Sequence, residues 1–79
     1  MRFEILFDAD KCNMDAAELM KVTNDVLKRS PLTIQVDNTR GSVIFTFEDE
    51  LSKKDKEKLT EEVNRLIRES ERLDTYRMH

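Results

Sequence analysis

A chain of 79 residues with a net charge of −3 has room for one domain, because two separate hydrophobic cores need a longer chain. Charged residues make up 39% of the chain and hydrophobic residues 38%, but the apolar residues recur at regular spacings, which argues against disorder. A single cysteine, Cys12, excludes an internal disulfide and suits a reducing compartment. No apolar run is long enough for a signal peptide or a membrane span. We therefore expect one cytoplasmic domain over residues 1–79, with residues 75–79 frayed.

The first predicted element is a strand over residues 2–7, in which apolar and polar residues alternate. Phe3, Ile5 and Phe7 share one face of this strand and are predicted to lie in the core. The opposite face, which is expected to meet water, carries Arg2, Glu4, Leu6 and Asp8.

The second element is an amphipathic helix over residues 14–29, for which Asn13 or Asp15 is the predicted N-cap. Its apolar residues recur three and four positions apart, which gives one buried stripe. The members of this stripe are Ala16, Leu19, Met20, Val22, Val26 and Leu27, with Thr23 between them. Lys28 and Arg29 are expected in the last turn, where cations interact favourably with the helix dipole.

Residues 32–47 are predicted to form a β-hairpin, because two alternating runs flank a cluster of turn formers at residues 37–41. Gly41, the single glycine of the chain, is expected to take the positive φ that such a loop requires. The residues expected on the buried face of the hairpin are Leu32, Ile34, Val36, Val43, Phe45 and Phe47.

The last predicted element is a helix from Lys53 to Asp74, with Ser52 placed to cap its first turn. Its buried stripe consists of Leu59, Val63, Leu66, Ile67 and Leu73. The other positions alternate in charge, and Glu61 and Arg65 form a predicted pair in the favourable i,i+4 order.

The element order β-α-β-β-α predicts an α+β fold. A right-handed crossover through the first helix makes strands one and two parallel, and strand three then fits between them as an antiparallel partner. The three-stranded sheet has the order 1-3-2, as in a ferredoxin-like sheet that lacks its fourth strand. Both helices are expected to cover the sheet face that carries the four phenylalanines.

Two features of this fold predict self-association. Strand one keeps an unpaired edge where a fourth strand would lie, and exposed edges recruit strands. The second helix spans about 33 Å, whereas a six-residue strand spans about 20 Å, so the last helical turns overhang the sheet. The predicted partner or dimer contacts are Phe3, Ile5, Leu6 and Phe7 on strand one, Ile44 beside Leu6 on the outer face, and Leu73, Tyr76 and Met78 on the overhang.

The residues with chemical potential do not match a catalytic pattern. Asp8 and Asp10 follow a hydrophobic strand, as phosphoryl-accepting aspartates do, but Cys12 stands where that pattern has Thr or Val. The segment does not match a calcium-binding loop, because it lacks the glycine that such a loop requires. A solvated turn is the main interpretation, and a weak divalent-cation site at Asp8 and Asp10 is the alternative. Cys12 would need a histidine within reach for nucleophilic catalysis, and the single histidine is His79. We expect no enzymatic activity, no cofactor and no small-molecule substrate.

Nucleic-acid binding is the main alternative to protein binding. A sheet that binds RNA stacks bases on exposed aromatic rings, whereas all four phenylalanines here have the buried parity. Basic residues are concentrated in the second helix, as Lys53, Lys54, Lys56, Lys58, Arg65, Arg68 and Arg72. Acidic residues alternate with them, whereas a phosphate-binding surface leaves its positive charges unpaired. Nucleic-acid contact is therefore the weaker prediction.

The length, the element order and one helical segment support a resemblance. The segment reads Leu59-Thr60-Glu61-Glu62-Val63-Asn64-Arg65-Leu66-Ile67 and resembles the second helix of the small dimerisation subunit of the KEOPS tRNA-modification complex. Thr60 stands where that family usually has Arg. The resemblance implies a non-catalytic homodimer that bridges larger subunits near tRNA.

The sequence thus predicts a small non-enzymatic protein-binding module that acts as a regulator, an inhibitor or a complex subunit. Its expected partner is another protein or a second copy of itself, with no membrane contact. Because the helix and strand patterning is unusually regular, an artificial or unevolved sequence with no biological role is a further alternative.

Overall fold

A computed structural model describes the backbone of residues 1–77 and the side chains of residues 1–70. The elements in chain order are β1 (Arg2–Leu6), α1 (Ala16–Leu27), β2 (Thr33–Asp37), β3 (Ser42–Thr46) and α2 (Lys53–Arg77). The strands form one three-stranded sheet in the order β1-β3-β2, and β3 is antiparallel to both of its neighbours. The predicted α+β fold and its sheet order are therefore confirmed.

The strand register places the apolar residues of all three strands on one face of the sheet. Phe3 of β1 and Ile34 of β2 both lie opposite Phe45 of β3. Residues that face each other in an antiparallel pair project to the same side of the sheet, so period-two alternation in each strand gives one apolar face.

The core lies between this face and the two helices, as predicted. The largest fully buried side chains are Phe45, Leu19, Leu59, Val43, Val63 and Thr23. Phe47 is also buried, while Phe3 and Phe7 are half-buried and pack against the core. The hydroxyl of Thr23 donates a 2.6 Å hydrogen bond to the carbonyl of Leu19, which satisfies the polar group inside the core.

Both helices begin at predicted caps. At the start of α1, Asp15 rather than Asn13 is the cap, and its side chain accepts a 3.0 Å hydrogen bond from the N–H of Ala17. At the start of α2, the hydroxyl of Ser52 accepts a 3.1 Å hydrogen bond from the N–H of Asp55. These side chains satisfy N–H groups that have no partner within the helix.

The end of α1 differs from the prediction, because the helix ends at Leu27. Lys28 takes a left-handed conformation with φ of 60°, and its N–H closes the helix by donating to the carbonyl of Asn24. The placement of Lys28 and Arg29 in the last helical turn was therefore wrong. Arg29 instead lies over the ring of Phe47, with its guanidinium carbon 5.5 Å from the ring centroid.

The predicted burial of Leu32 is also wrong, since 62% of this residue is exposed. The backbone bends at Leu32, one residue before β2 begins, so the alternation of the strand does not extend to it. Pro31, the preceding residue, is buried instead. A similar end effect exposes Ala16, the first residue of α1.

Gly41 packs directly against the backbone that follows β1. Its φ is 81°, as predicted for the hairpin loop, and its carbonyl accepts a 2.8 Å hydrogen bond from the N–H of Phe7. A Cβ at this position would collide with the carbonyl oxygen of Phe7 and lie 3.2 Å from the amide nitrogen of Ala9. Glycine is required here both by conformation and by close approach.

Asn38, which the sequence analysis did not single out, ties the hairpin loop to the segment before α1. Its side-chain oxygen accepts a 2.8 Å hydrogen bond from the N–H of Met14, and its side-chain nitrogen donates a 3.1 Å bond to the carbonyl of Met14. Met14 itself is buried. The amide therefore satisfies two polar groups of a backbone segment that belongs to no helix or strand.

We expect Gly41→Ala to destabilise the fold by at least about 1–3 kcal/mol, the cost of a left-handed non-glycine residue, with the collision added to it. Urea unfolding followed by circular dichroism measures the change. The matched control is Thr39→Ala in the same loop, whose side chain is exposed and which should change stability by less than about 0.5 kcal/mol. Equal unfolding midpoints for the two variants would contradict this account.

We expect Asn38→Ala to cost about 1–3 kcal/mol, because the N–H and carbonyl of Met14 lose their partners. Amide exchange measured by NMR should show faster exchange at Met14 with little change in β3. Asn13→Ala, an exposed asparagine in the same connection, serves as the control. If the N–H of Met14 exchanged no faster in Asn38→Ala than in the wild type, the two hydrogen bonds between Asn38 and Met14 would have no energetic role.

Candidate partner-binding site

β1 is an edge strand: within the described residues it pairs with β3 alone, so its second side is open. At one end, the N–H of Phe7 donates to the carbonyl of Gly41. At the other end, the carbonyl of Met1 accepts from the N–H of Phe47. Hydrogen-bonding groups alternate sides along a strand, so the odd residues bond to β3. The backbone groups that face the open side are therefore those of Arg2, Glu4 and Leu6.

A groove of about 400 Å³ lies between the open side of β1 and the first half of α2. Its lining residues are Phe3, Lys53, Lys56, Glu57, Thr60 and Glu61. The groove surface is mostly apolar although most of these residues are charged, because long charged side chains contribute their aliphatic stems to such walls.

β1 lacks two of the usual features that protect a sheet edge. It contains no proline, and its pairing with β3 runs without a bulge from Arg2 opposite Thr46 to Leu6 opposite Ser42. Natural proteins protect edges with prolines, bulges, charged side chains, inward-pointing charges or a covering segment. Arg2 and Glu4 are charged but are exposed on the outer face, so they leave the edge itself accessible.

Leu6 and Ile44 lie together on the helix-free face of the sheet, where both line a shallow depression of about 580 Å³. Leu6 is 71% exposed and Ile44 is half-buried. The other lining residues are Glu4, Gln35, Val36, Asp37, Arg40 and Ser42. The depression has a mixed surface, somewhat more polar than apolar, and none of its lining residues is aromatic.

The other predicted contact residues fall into two groups. Ile5 is buried in the core and Phe7 packs against it, so these side chains support β1 from the helix side. Leu73, Tyr76 and Met78 belong to the region where the structure describes no side chains, as does the segment 75–79 predicted to fray. The backbone of α2 continues to Arg77, three residues beyond the predicted end.

The segment after β1 forms a compact turn. The carboxylate of Asp8 accepts a 3.0 Å hydrogen bond from the N–H of Asp10, and the carbonyl of Asp8 accepts from the N–H groups of Lys11 and Cys12. No cluster of three or more His, Cys, Asp or Glu residues that could hold a metal ion occurs in the described part of the chain. These hydrogen bonds are those of a turn, and the carboxylates of Asp8 and Asp10 are both exposed.

Arg65 of α2 is engaged by two carboxylates. It pairs with Glu62 at 2.8 Å and with Glu69 at 2.8 Å, whereas the predicted partner was Glu61. That prediction was wrong, and Glu61 lines the groove beside β1 instead. The hydrogen bond and charge of Glu62, with the charge of Glu69, raise the pKa of Arg65 above its ordinary value.

Over the described residues, no helix is long and apolar enough to cross a membrane.

The sequence analysis missed Arg2 and Glu4 as edge residues. The signal that could have identified them is the hairpin loop, because Asp37 and Ser42 face each other across it. Because of that pairing, the backbone N–H and C=O groups of the even residues of β3 face β2, and those of the odd residues face β1. The backbone N–H and C=O groups of the even residues of β1 then face the open side of the strand.

No protein-family model matches the chain, and no curated protein and no solved structure gives a significant match. The likeness to the KEOPS subunit is thus confined to residues 59–67, the length and the element order. What the protein does is inferred from its own residues.

We expect millimolar CaCl₂ or MgCl₂ to leave the melting temperature unchanged, because Asp8 and Asp10 have no third carboxylate ligand beside them among the described residues. Thermal unfolding with and without each salt, at constant ionic strength, measures the effect. A saturable rise in melting temperature that Asp10→Asn abolishes would establish a cation site.

Proposed function

We propose that this protein is a small non-enzymatic protein-binding module that takes a strand of another polypeptide onto the open side of β1. The observation that carries the proposal is the unpaired backbone of β1 beside the groove that contains Phe3. In strand addition, main-chain hydrogen bonds give affinity, and pockets for alternate side chains give specificity. The edge and the groove supply these two requirements next to each other.

The burial of Cys12 favours a binding role over a catalytic one. Cys12 is 4% exposed, and its sulfur lies 3.6 Å from the carbonyl oxygen of Asp8. Reactive cysteines are partly exposed and lie in electropositive surroundings, whereas buried ones usually fill the core. A chain with a single cysteine suits a reducing compartment, and we place the protein in the cytoplasm.

The distribution of rings and charges favours a protein partner over a nucleic acid. The four phenylalanines lie on the helix side of the sheet, away from the outer face where bases would stack. Lys53 and Lys56 line the groove together with Glu57 and Glu61, and Arg65 is paired with carboxylates. A surface of mixed sign fits a polypeptide better than a phosphate backbone.

We expect Glu4→Pro to abolish partner binding while preserving the fold. The N–H of Glu4 faces the open side, so proline removes a donor that an added strand needs and leaves the bonds between β1 and β3 in place. The measurement is affinity capture from a nuclease-treated lysate with mass spectrometry, with circular dichroism as a check on folding. Proteins retained by the wild type should be absent from Glu4→Pro.

Two further variants make this test specific. Thr33→Lys changes an exposed residue of β2, the opposite edge strand, and should retain the same partners. Thr60→Arg places a larger side chain in the groove from α2 without altering β1, and should lose them. The proposal would be overturned if Glu4→Pro and Thr60→Arg retained the same partners as the wild type. It would also be overturned if the partners of the wild type were lost when the lysate is treated with nuclease.

A further inference from the structure

We infer that the strand added to β1 is β1 of a second copy, in one antiparallel register that sets Arg2 of each copy opposite Glu4 of the other. This inference rests on the proposed function and names the partner. The resulting homodimer has a continuous six-stranded sheet in the order β2-β3-β1-β1-β3-β2, with two-fold symmetry.

The charges of β1 select the register. Only even residues present hydrogen-bonding groups to the open side, so a two-fold axis that pairs at least two of them in each copy can pass at Phe3, Glu4 or Ile5. An axis at Glu4 sets the two Glu4 carboxylates directly opposite each other, and like charges in that position are destabilising. An axis at Ile5 sets Glu4 opposite Leu6. Only the axis at Phe3 gives opposite charges, and it forms the Arg2–Glu4 pair twice.

The position of the groove agrees with the same axis. Phe3 is the β1 residue that lines the groove. With the axis at Phe3, the two Phe3 side chains face each other as a non-hydrogen-bonded pair, the type in which opposing side chains lie closest. The grooves of the two copies then lie next to each other over the pair of Phe3 rings. An aromatic pair across two strands is a favourable contact.

The groove side of α2 is self-complementary in charge. Along the helix, Lys53 and Lys56 come first, and Glu57 and Glu61 follow. A two-fold axis runs the two α2 helices antiparallel beside it, so the basic half of one copy lies against the acidic half of the other. This arrangement gives a role to lysines at the start of α2, which otherwise oppose the helix dipole.

A charge exchange tests the dimer and its register together. Wild-type protein should show twice the chain mass of 9.4 kDa in light scattering coupled to size exclusion. Arg2→Glu and Glu4→Arg each oppose like charges and should weaken the dimer at least about tenfold in dissociation constant. The double variant Arg2→Glu/Glu4→Arg restores both pairs and should dimerise like the wild type. Thr33→Glu, on the other edge strand, should leave the dimer unchanged.

Amide exchange in the dimer reads the register directly. The N–H groups of Arg2 and Glu4 should be protected and that of Leu6 should exchange freely, whereas an axis at Glu4 would protect all three. A wild-type monomer at high concentration, a dimer insensitive to the single reversals, or a failed rescue would overturn the inference. A monomer that still captures another protein through β1 would end this inference and keep the proposed function. A dimer that captures no other protein would support both, because the second copy then occupies β1. Loss of both readouts would end both.

Discussion

The burial of the inner face of β3, together with its pairing on both edges, is the constraint on which the rest of the structure depends. Val43 and Phe45 are fully buried, and both edges of β3 are hydrogen-bonded, one to β1 and one to β2. With three strands and β3 at the centre, β1 and β2 must both be edges. Because α2 leaves a shallow groove beside β1, one of these edges combines open backbone with a mostly apolar surface. The candidate binding site is therefore a direct consequence of sheet order.

The architecture could be predicted from the sequence because its signals are local and repeated. Alternation over five or more residues defines each strand, and caps such as Asp15 and Ser52 act within three residues. The predictions that failed lie where a regular pattern ends. Leu32 keeps the parity of β2 in sequence, but the backbone bends at that residue, and Lys28 closes α1 in a left-handed conformation that composition does not reveal.

The candidate site was harder to predict because it depends on hydrogen-bonding sides and on contacts distant in sequence. Side-chain parity identified Phe3 and Leu6, but only the pairing of β1 with β3 shows that the backbones of Arg2 and Glu4 face outwards. Asn38 contacts Met14 across 24 residues, and no spacing rule connects them. Arg65 had three acidic neighbours within reach on α2, and side-chain geometry decided among them.

The pairing of β1 with β3 also shapes how the chain matures on a ribosome. β1 is synthesised before β3 and has no partner in the sheet until residues 42–46 have been made. At roughly 5–20 residues per second, a nascent β1 waits for several seconds. During that interval the apolar side chains of Phe3, Ile5 and Phe7 are exposed to other unfolded chains. Arg2 and Glu4 are the charged residues that alternate with them. Charges within an apolar segment lower its tendency to aggregate, so the positions of Arg2 and Glu4 favour a nascent β1 that stays unaggregated until β3 is made.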